Sequence, residues 1–267
     1  MNDSKASAAT LGVSSHSISE PPARASAASE PQRTRATTEL KVLTATAAGV
    51  GVLSLLVPLR WGGLWAPYEL DMAELSRRIA LVLHGASKLA IEGRDNSVPI
   101  LSELGKGQLP FSSVAVGFQL FGLSDWAGRL PLALWGALGL FATYLLVAKL
   151  ADRVSAAFAA IVLATTPLYF LQARTLLGDA VTSAAAAIAT VGLALATFTP
   201  NAPGAASTRS RWLWGALGLV GLLAGFASRG VLVGVACPAL GVGLGWLALR
   251  GSGTESPRRS AGARRAR

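Results

Sequence analysis

Long apolar runs separated by short polar stretches dominate the hydrophobic pattern of this chain. Six runs without a charged residue lie at 42–59, 130–148, 154–173, 180–198, 212–228 and 230–249. A transmembrane helix needs about 20 mainly apolar residues, with a range of about 17–25. The runs are too long for buried strands and lack the alternation of a membrane barrel. The pattern therefore predicts an all-α polytopic membrane protein with about six transmembrane helices.

Composition favours a membrane protein and excludes several other classes. The chain is 52% hydrophobic and 14% charged, whereas soluble domains carry about 25% charged residues. One cysteine and two histidines leave no disulfide framework and no zinc cluster, so we predict no metal site and no certain cofactor. The net charge of +10 is not concentrated on a soluble domain, so nucleic acid is not a predicted partner.

The distribution of lysine and arginine orients the predicted helices. With the N-terminus in the cytoplasm, 15 of these residues lie on the inner side, and seven of the nine outer ones belong to one long loop. Long loops cross a membrane largely regardless of charge, so the short loops decide the orientation. We predict a multi-pass protein of the cell (inner) membrane with a cytoplasmic N-terminus. Residues 1–39 and 251–267 are predicted to be disordered cytoplasmic tails, the second one basic, around a transmembrane domain at 40–250.

The segment between the first two runs, 60–129, is predicted to be a large external loop. It holds seven of the 14 acidic residues, and its many aromatic residues indicate a folded segment. An amphipathic pattern predicts a helix at 71–83, and an apolar, aromatic piece at 111–121 predicts a second one. Both are too short to cross a bilayer, so we expect the first to lie in the membrane interface and the second either to lie flat there or to form a shallow re-entrant turn. Long loops of this kind are usually functional, which directs the search for a site here.

Charged residues at the predicted outer face are the candidate site residues. Glu69 and Asp71 follow a belt of aromatic residues at headgroup depth, although Asp71 also suits the N-cap of the amphipathic helix. Arg174 and Asp179 flank a tight turn between the third and fourth runs, either as part of a site or as an interfacial ion pair. Arg229 lies between the last two runs, either as a membrane anchor or as a phosphate contact.

Six short motifs follow one another in a characteristic order between residues 41 and 250. They are Glu69-Leu70-Asp71, Gln108-Leu109-Pro110-Phe111, Leu120-Phe121-Gly122, Gly128-Arg129-Leu130-Pro131, Gln172-Ala173-Arg174 with Asp179, and the stretch 222–230 that ends in Ser228-Arg229-Gly230. This order resembles the N-terminal half of family 39 of the glycosyltransferase C superfamily. That family includes protein O-mannosyltransferases and lipid A aminoarabinose transferases.

The resemblance implies a membrane glycosyltransferase that moves a sugar from a polyprenyl-phosphate donor to an acceptor on the outer face, either a protein or a lipid. It implies inversion at the anomeric carbon, with a loop carboxylate as base and basic residues on the leaving phosphate. It assigns the base to Asp71, with Glu69 as the competing assignment, and a second functional acid to Asp179. It implies that the substrate-binding residues are Lys106, Arg129, Arg174 and Arg229.

Two departures from the family pattern leave alternatives open. The motif lysine of the family falls at Gln108, and the nearest cation is Lys106. Six predicted helices are about half the number usual in the family, so the enzyme is either complete in this chain or completed by a partner subunit or a C-terminal half. A non-catalytic, truncated relative or a partner subunit of such an enzyme is therefore the alternative. A transporter is a third hypothesis, but paired repeats and charges near mid-membrane are absent from the pattern.

Overall fold

The computed structural model describes residues 67–84, 89–105, 107–198 and 208–252, together with single positions between 42 and 64. Within these residues the fold is entirely helical. The helices are α1 (Tyr68–His84), α2 (Leu101–Leu104), α3 (Gln108–Phe121), α4 (Asp125–Leu150), α5 (Arg153–Thr165), α6 (Pro167–Arg174), α7 (Asp179–Phe198), α8 (Thr208–Val231) and α9 (Cys237–Ser252), with a π-helical segment at Leu232–Ala236 before α9. The predicted tail at 1–39, all but two residues of the tail at 251–267, and most of the first apolar run lie outside the described residues.

Three stretches are long and apolar enough to cross a membrane: Asp125–Leu150, Asp179–Phe198 and Arg209–Arg250. A fourth is obtained if α5 and α6, which are bent by 66°, count as one span. The all-helical membrane architecture is thus confirmed, whereas the six predicted spans and the interfacial position of α1 and α3 stay predictions. The predicted runs 212–228 and 230–249 both fall within Arg209–Arg250.

The Arg209–Arg250 stretch folds back on itself at Gly230. A straight helix of 42 residues would be about 63 Å long, twice the hydrocarbon core of a bilayer. Gly230 leaves the helical region with φ 74° and ψ −167°. A Cβ added to Gly225 would overlap the backbone oxygen of Gly234, so the segments on either side of the turn lie against each other. Two antiparallel helical segments result, and glycine permits the positive φ at the turn.

Two prolines determine where the helices bend, and one of them corrects a predicted boundary. The run 154–173 bends at Thr166, which is extended (φ −65°, ψ 117°) because it precedes Pro167. Pro131 was expected at the start of the second span, yet α4 begins six residues earlier and Pro131 lies inside it. Gly117 of α3 packs there against the Ala127 carbonyl and the Pro131 ring, where the helix lacks a hydrogen bond.

Helices α1 and α3 pack against the candidate membrane-spanning helices in one apolar core. Its buried members come from α1, α2, α3, α4, α7, the turn between α6 and α7, and Leu89, and they include Met72, Ile79, Phe111, Val114, Phe118, Leu132, Leu176 and Val181. Since α1 and α3 contribute side chains to this core, the described part of the segment 60–129 is folded, whereas its external position stays a prediction. The core joins the loop to the end of the bundle where α4 and α7 begin and α6 and α8 end.

Candidate functional site

Charged residues from distant parts of the chain meet at this end of the bundle because the helices alternate in direction. Asp125 opens α4, Arg174 closes α6, Asp179 opens α7, and Arg229 lies near the end of α8. The four-residue turn 175–178, the α6–α7 turn, lies at the centre of this end. Gly178 has a positive φ of 78°, and a Cβ there would contact Pro110 and Met72 at about 3 Å. The turn is therefore wedged between α1 and α3.

Glu69 lies in the protein interior with 1% of its surface exposed. Its Oε2 accepts a hydrogen bond from Arg129 Nη2 at 2.8 Å, and its Oε1 accepts one from the Leu176 backbone N–H at 2.7 Å. Arg129 also donates to the Leu59 carbonyl at 3.4 Å. The buried ion pair thus joins the first turn of α1 to α4 and to the α6–α7 turn.

Asp71 is exposed in the first turn of α1, where a carboxylate is favoured by the helix dipole. It lines a cavity of about 210 Å³, which we call the Asp71 cavity. The other walls come from α1, α2, α3 and the α6–α7 turn, and their residues are Tyr68, Met72, Leu75, Glu103, Leu104, Phe111, Leu176 and Leu177. The cavity is thus mostly apolar with two carboxylates in its wall, and it lies beside the turn that precedes Asp179.

Arg77 and Arg78 fasten the loop 89–103 to α1. Arg77 donates to both oxygens of Glu74 and to groups of the loop, among them the Leu89 carbonyl at 3.0 Å and Asn96 Oδ1 at 2.7 Å. Its hydrogen bonds lower the pKa of the Glu74 carboxyl below its usual value. Arg78 forms ion pairs with Glu103 at 2.8 Å and with Asp95 at 3.2 Å. Arg78 therefore holds Glu103 in the wall of the Asp71 cavity.

Asp179 pairs with Arg229 across the start of α7 and the end of α8. One residue before Arg229, Ser228 is fully buried and shares a hydrogen bond of 2.7 Å with the Thr182 hydroxyl. The Ser228 carbonyl accepts a hydrogen bond from the Gly107 N–H at 3.0 Å. The segment that leads into α3 is thus tied to the Asp179–Arg229 pair.

The remaining predicted cations differ in their surroundings. Arg174 stacks on Phe170, with its guanidinium carbon 4.5 Å from the ring centroid, and lies within electrostatic range of Arg129. Lys106 lies outside the described residues. Gln108, at the position of the family's motif lysine, is the exposed first residue of α3. Within the described part of the chain, no three His, Cys, Asp or Glu side chains converge as a metal site.

The structure thus arranges those predicted site residues that it describes around the α6–α7 turn. Asp71 lines the cavity beside this turn, and Glu69 accepts a hydrogen bond from Leu176 of the turn. Asp179 follows the turn in the chain and pairs with Arg229. Sequence reasoning missed Arg78 and Glu103, which are not among the predicted site residues. A cation on the helix and several acids in the loop that follows were the signal that could have suggested their pairing.

Comparison with known proteins identifies the family to which the chain belongs. Residues 110–255 match the family model described as dolichyl-phosphate-mannose-protein mannosyltransferase, and this range is more than half of the 267 residues. The chain belongs to this family. The resemblance to family 39 of the glycosyltransferase C superfamily is therefore confirmed, and the family is one of membrane glycosyltransferases. No curated protein matches the chain.

Two solved structures of ArnT from Cupriavidus metallidurans are similar to the chain in fold and in sequence. The apo structure has 25% identity and a TM-score of 0.60, and it covers 80% of this chain and 37% of ArnT. The structure bound to undecaprenyl phosphate has 26% identity and a TM-score of 0.61, and it covers 80% of this chain and 36% of ArnT. The chain thus spans little more than a third of the length of ArnT.

Proposed function

We propose that this chain acts in sugar transfer from a polyprenyl-phosphate donor to a hydroxyl acceptor at the outer face of the membrane. The observation that carries the proposal is the place of the Asp71 cavity, which opens beside the turn joining Arg174 to Asp179. Membership of a glycosyltransferase family and the similarity to ArnT, which was solved with undecaprenyl phosphate, support this class of donor.

Asp71 is the proposed general base. The acceptor hydroxyl gives its proton to the Asp71 carboxylate while its oxygen bonds to the anomeric carbon. The bond from that carbon to the phosphate oxygen breaks, and its electron pair leaves with the polyprenyl phosphate, so the configuration is inverted. A base must be within reach of the proton that it removes, and Asp71 is exposed in the cavity wall. Glu69 is the weaker assignment because it is buried and both its oxygens accept hydrogen bonds from the protein.

Cationic side chains are proposed to stabilise the charge that develops on the leaving phosphate. Arg229 is partly exposed and paired with Asp179, so Asp179 orients its guanidinium in this proposal. Arg174 lies at the other end of the turn, and Lys106 precedes Gly107, whose N–H bonds to Ser228. Arg129 has a structural role instead, since its buried guanidinium is paired with Glu69.

Transfer of radiolabelled sugar from a polyprenyl phosphate in membranes that contain the chain tests this proposal. The Asp71→Asn variant should lower transfer about 100-fold or more, the usual contribution of a general base. Asp125→Asn is the matched control because Asp125 lies at the same end of the bundle but lines a different cavity. Transfer by Asp71→Asn at the wild-type rate would remove Asp71 from the site.

A second candidate function is binding of the carrier lipid without turnover, which the glutamine at position 108 favours. The family motif that Gln108-Leu109-Pro110-Phe111 resembles has a lysine at this position, and a neutral amide cannot provide its charge to a phosphate. Binding of undecaprenyl phosphate by the purified chain, with no transfer in the same membranes, would favour this candidate over the enzyme.

A further inference from the structure

Glu69 joins two of the segments that line the Asp71 cavity. It belongs to the first turn of α1, which carries Tyr68 and Asp71, and its Oε1 accepts the Leu176 N–H of the α6–α7 turn at 2.7 Å. Residues two apart on a helix point about 200° away from each other. Glu69 therefore faces the interior while Asp71 faces the cavity, and one helical turn presents both groups.

We infer that Glu69 is a positioning residue that clamps the first turn of α1 to the α6–α7 turn and so sets the geometry of the Asp71 cavity. Arg129 is the second half of the clamp, because its 2.8 Å ion pair fixes the other carboxylate oxygen of Glu69 to α4. The effect of the clamp on sugar transfer rests on the proposed function, whereas the clamp itself does not.

A buried charged pair suits this role better than an apolar contact. The hydrogen bonds that Glu69 accepts from Arg129 and from the Leu176 N–H have fixed directions, so they define the register of α1 against the turn, whereas apolar side chains permit sliding. Removal of either member of the ion pair takes this counter-charge away from the other in the interior. A neutral pair, Glu69→Gln with Arg129→Gln, leaves no charge behind. Its amide groups are able to hydrogen-bond to each other and to the Leu176 N–H.

Cross-linking across the cavity tests the clamp without any assay of transfer. Tyr68 and Leu177 both line the Asp71 cavity, and Cys237 is the only cysteine of the chain. A background of Cys237→Ala, Tyr68→Cys and Leu177→Cys is treated with a short bifunctional maleimide. We expect E69Q and R129Q each to slow cross-linking at least about tenfold and E69Q/R129Q together to restore most of it. Glu92→Gln, an exposed acid of the same loop, is the matched control and should have no effect.

Several outcomes separate the clamp from the proposed function. An unchanged cross-linking rate in E69Q would overturn the clamp. If E69Q does not fold, recovery of folding in E69Q/R129Q supports the clamp. Glu69→Asp, which keeps the charge but shortens the side chain, then replaces E69Q in the cross-linking assay. An unchanged rate in that variant would also overturn the clamp. If cross-linking follows the expected pattern but neither the wild type nor any variant transfers sugar, the clamp is supported and the proposed enzyme is rejected.

The transfer assay distinguishes a positioning residue from a base. If Glu69 positions the cavity, E69Q/R129Q should recover most of the transfer lost in E69Q, since the geometry returns without the carboxylate. A base cannot be replaced in this way, because the amide of glutamine does not accept the proton. Restored cross-linking together with persistent loss of transfer in the double variant would therefore identify Glu69 as the general base and overturn the inference.

Discussion

The neighbouring residues Arg77 and Arg78 of α1 donate hydrogen bonds to different groups of the loop 89–103. Arg77 is 2% exposed, and its five N–H groups donate to Glu74, Leu89, Asp95 and Asn96. Arg78 divides its hydrogen bonds between Glu103 and the Ser97 carbonyl and hydroxyl. A planar guanidinium with five donors makes this possible, and a lysine has only three. The loop is therefore held by side-chain chemistry rather than by an apolar core of its own.

Replacing Arg77 with lysine should release the loop. The lysine loses at least two of the five hydrogen bonds and leaves buried acceptors without a donor, so we expect local opening to become about 100-fold more frequent. Limited tryptic cleavage within 85–100, followed by mass spectrometry, measures this opening. Arg94→Lys is the control because Arg94 is mostly exposed, makes a single 3.6 Å contact with Glu74, and remains a tryptic site after substitution. Equal cleavage of the two variants would contradict the structural role of Arg77.

Glycines determine how closely α7 and α8 approach each other. A Cβ on Gly221 would overlap the backbone N of Ala189, and a Cβ on Gly192 would overlap the backbone N of Gly218. Close backbone contact of this kind is typical of membrane helices, which associate through packing rather than through exclusion of water. Gly241 and Gly243 of α9, by contrast, have no atom of the described residues within 4 Å of an added Cβ. Helical spacing of glycines alone therefore does not identify the packed face.

This difference predicts opposite results for two substitutions of the same kind. Gly221→Val should destabilise the protein by about 3 kcal/mol, because α7 and α8 must separate to admit the side chain, and so lower the melting temperature by about 10 °C. Gly243→Val should change it by no more than about 1 °C, as an open surface position does. Thermal unfolding of both variants in the same detergent measures the difference. Comparable losses would show that α9 is packed where the structure leaves it open.

Hydropathy predicts where the helices lie better than it predicts where they begin and end. It measures where apolar side chains begin, so it placed the start of the second span at Leu130, whereas the backbone hydrogen bonds of α4 begin at Asp125. The grouping of Arg129, Arg174, Asp179 and Arg229 at one end follows from the alternation of the spans and was predictable. The pairing of Glu69 with Arg129 was not, because the two residues are 60 positions apart and only packing brings them together. The cavity beside Asp71 also depends on packing, since four separate segments form it.

The two ends of the molecule differ in their charged residues. The end with the candidate site pairs its cations with acids, as in Glu69 with Arg129 and Asp179 with Arg229. At the opposite end, where α4 ends and α5 and α8 begin, the charged residues that the structure describes are mostly basic, and they are Lys149, Asp152, Arg153, Arg209, Arg211 and Arg250. Asp152 is used there to cap α5 through the N–H groups of Val154 and Ser155. This asymmetry is typical of a cytoplasmic basic end.

The whole molecule is therefore expected to present the Asp71 cavity outside the cell membrane. Cys237 is the only cysteine, so a Cys237→Ala background allows single cysteines to report on either side. Glu92→Cys, in the loop beside α1, should react with a membrane-impermeant maleimide in intact cells. Ala151→Cys, an exposed position between α4 and α5, should react only after permeabilisation, because helices that alternate in direction place it on the other face. The reverse pattern would put the cavity in the cytoplasm, where the proposed outer-face acceptor is absent, and the proposed function would have to be abandoned.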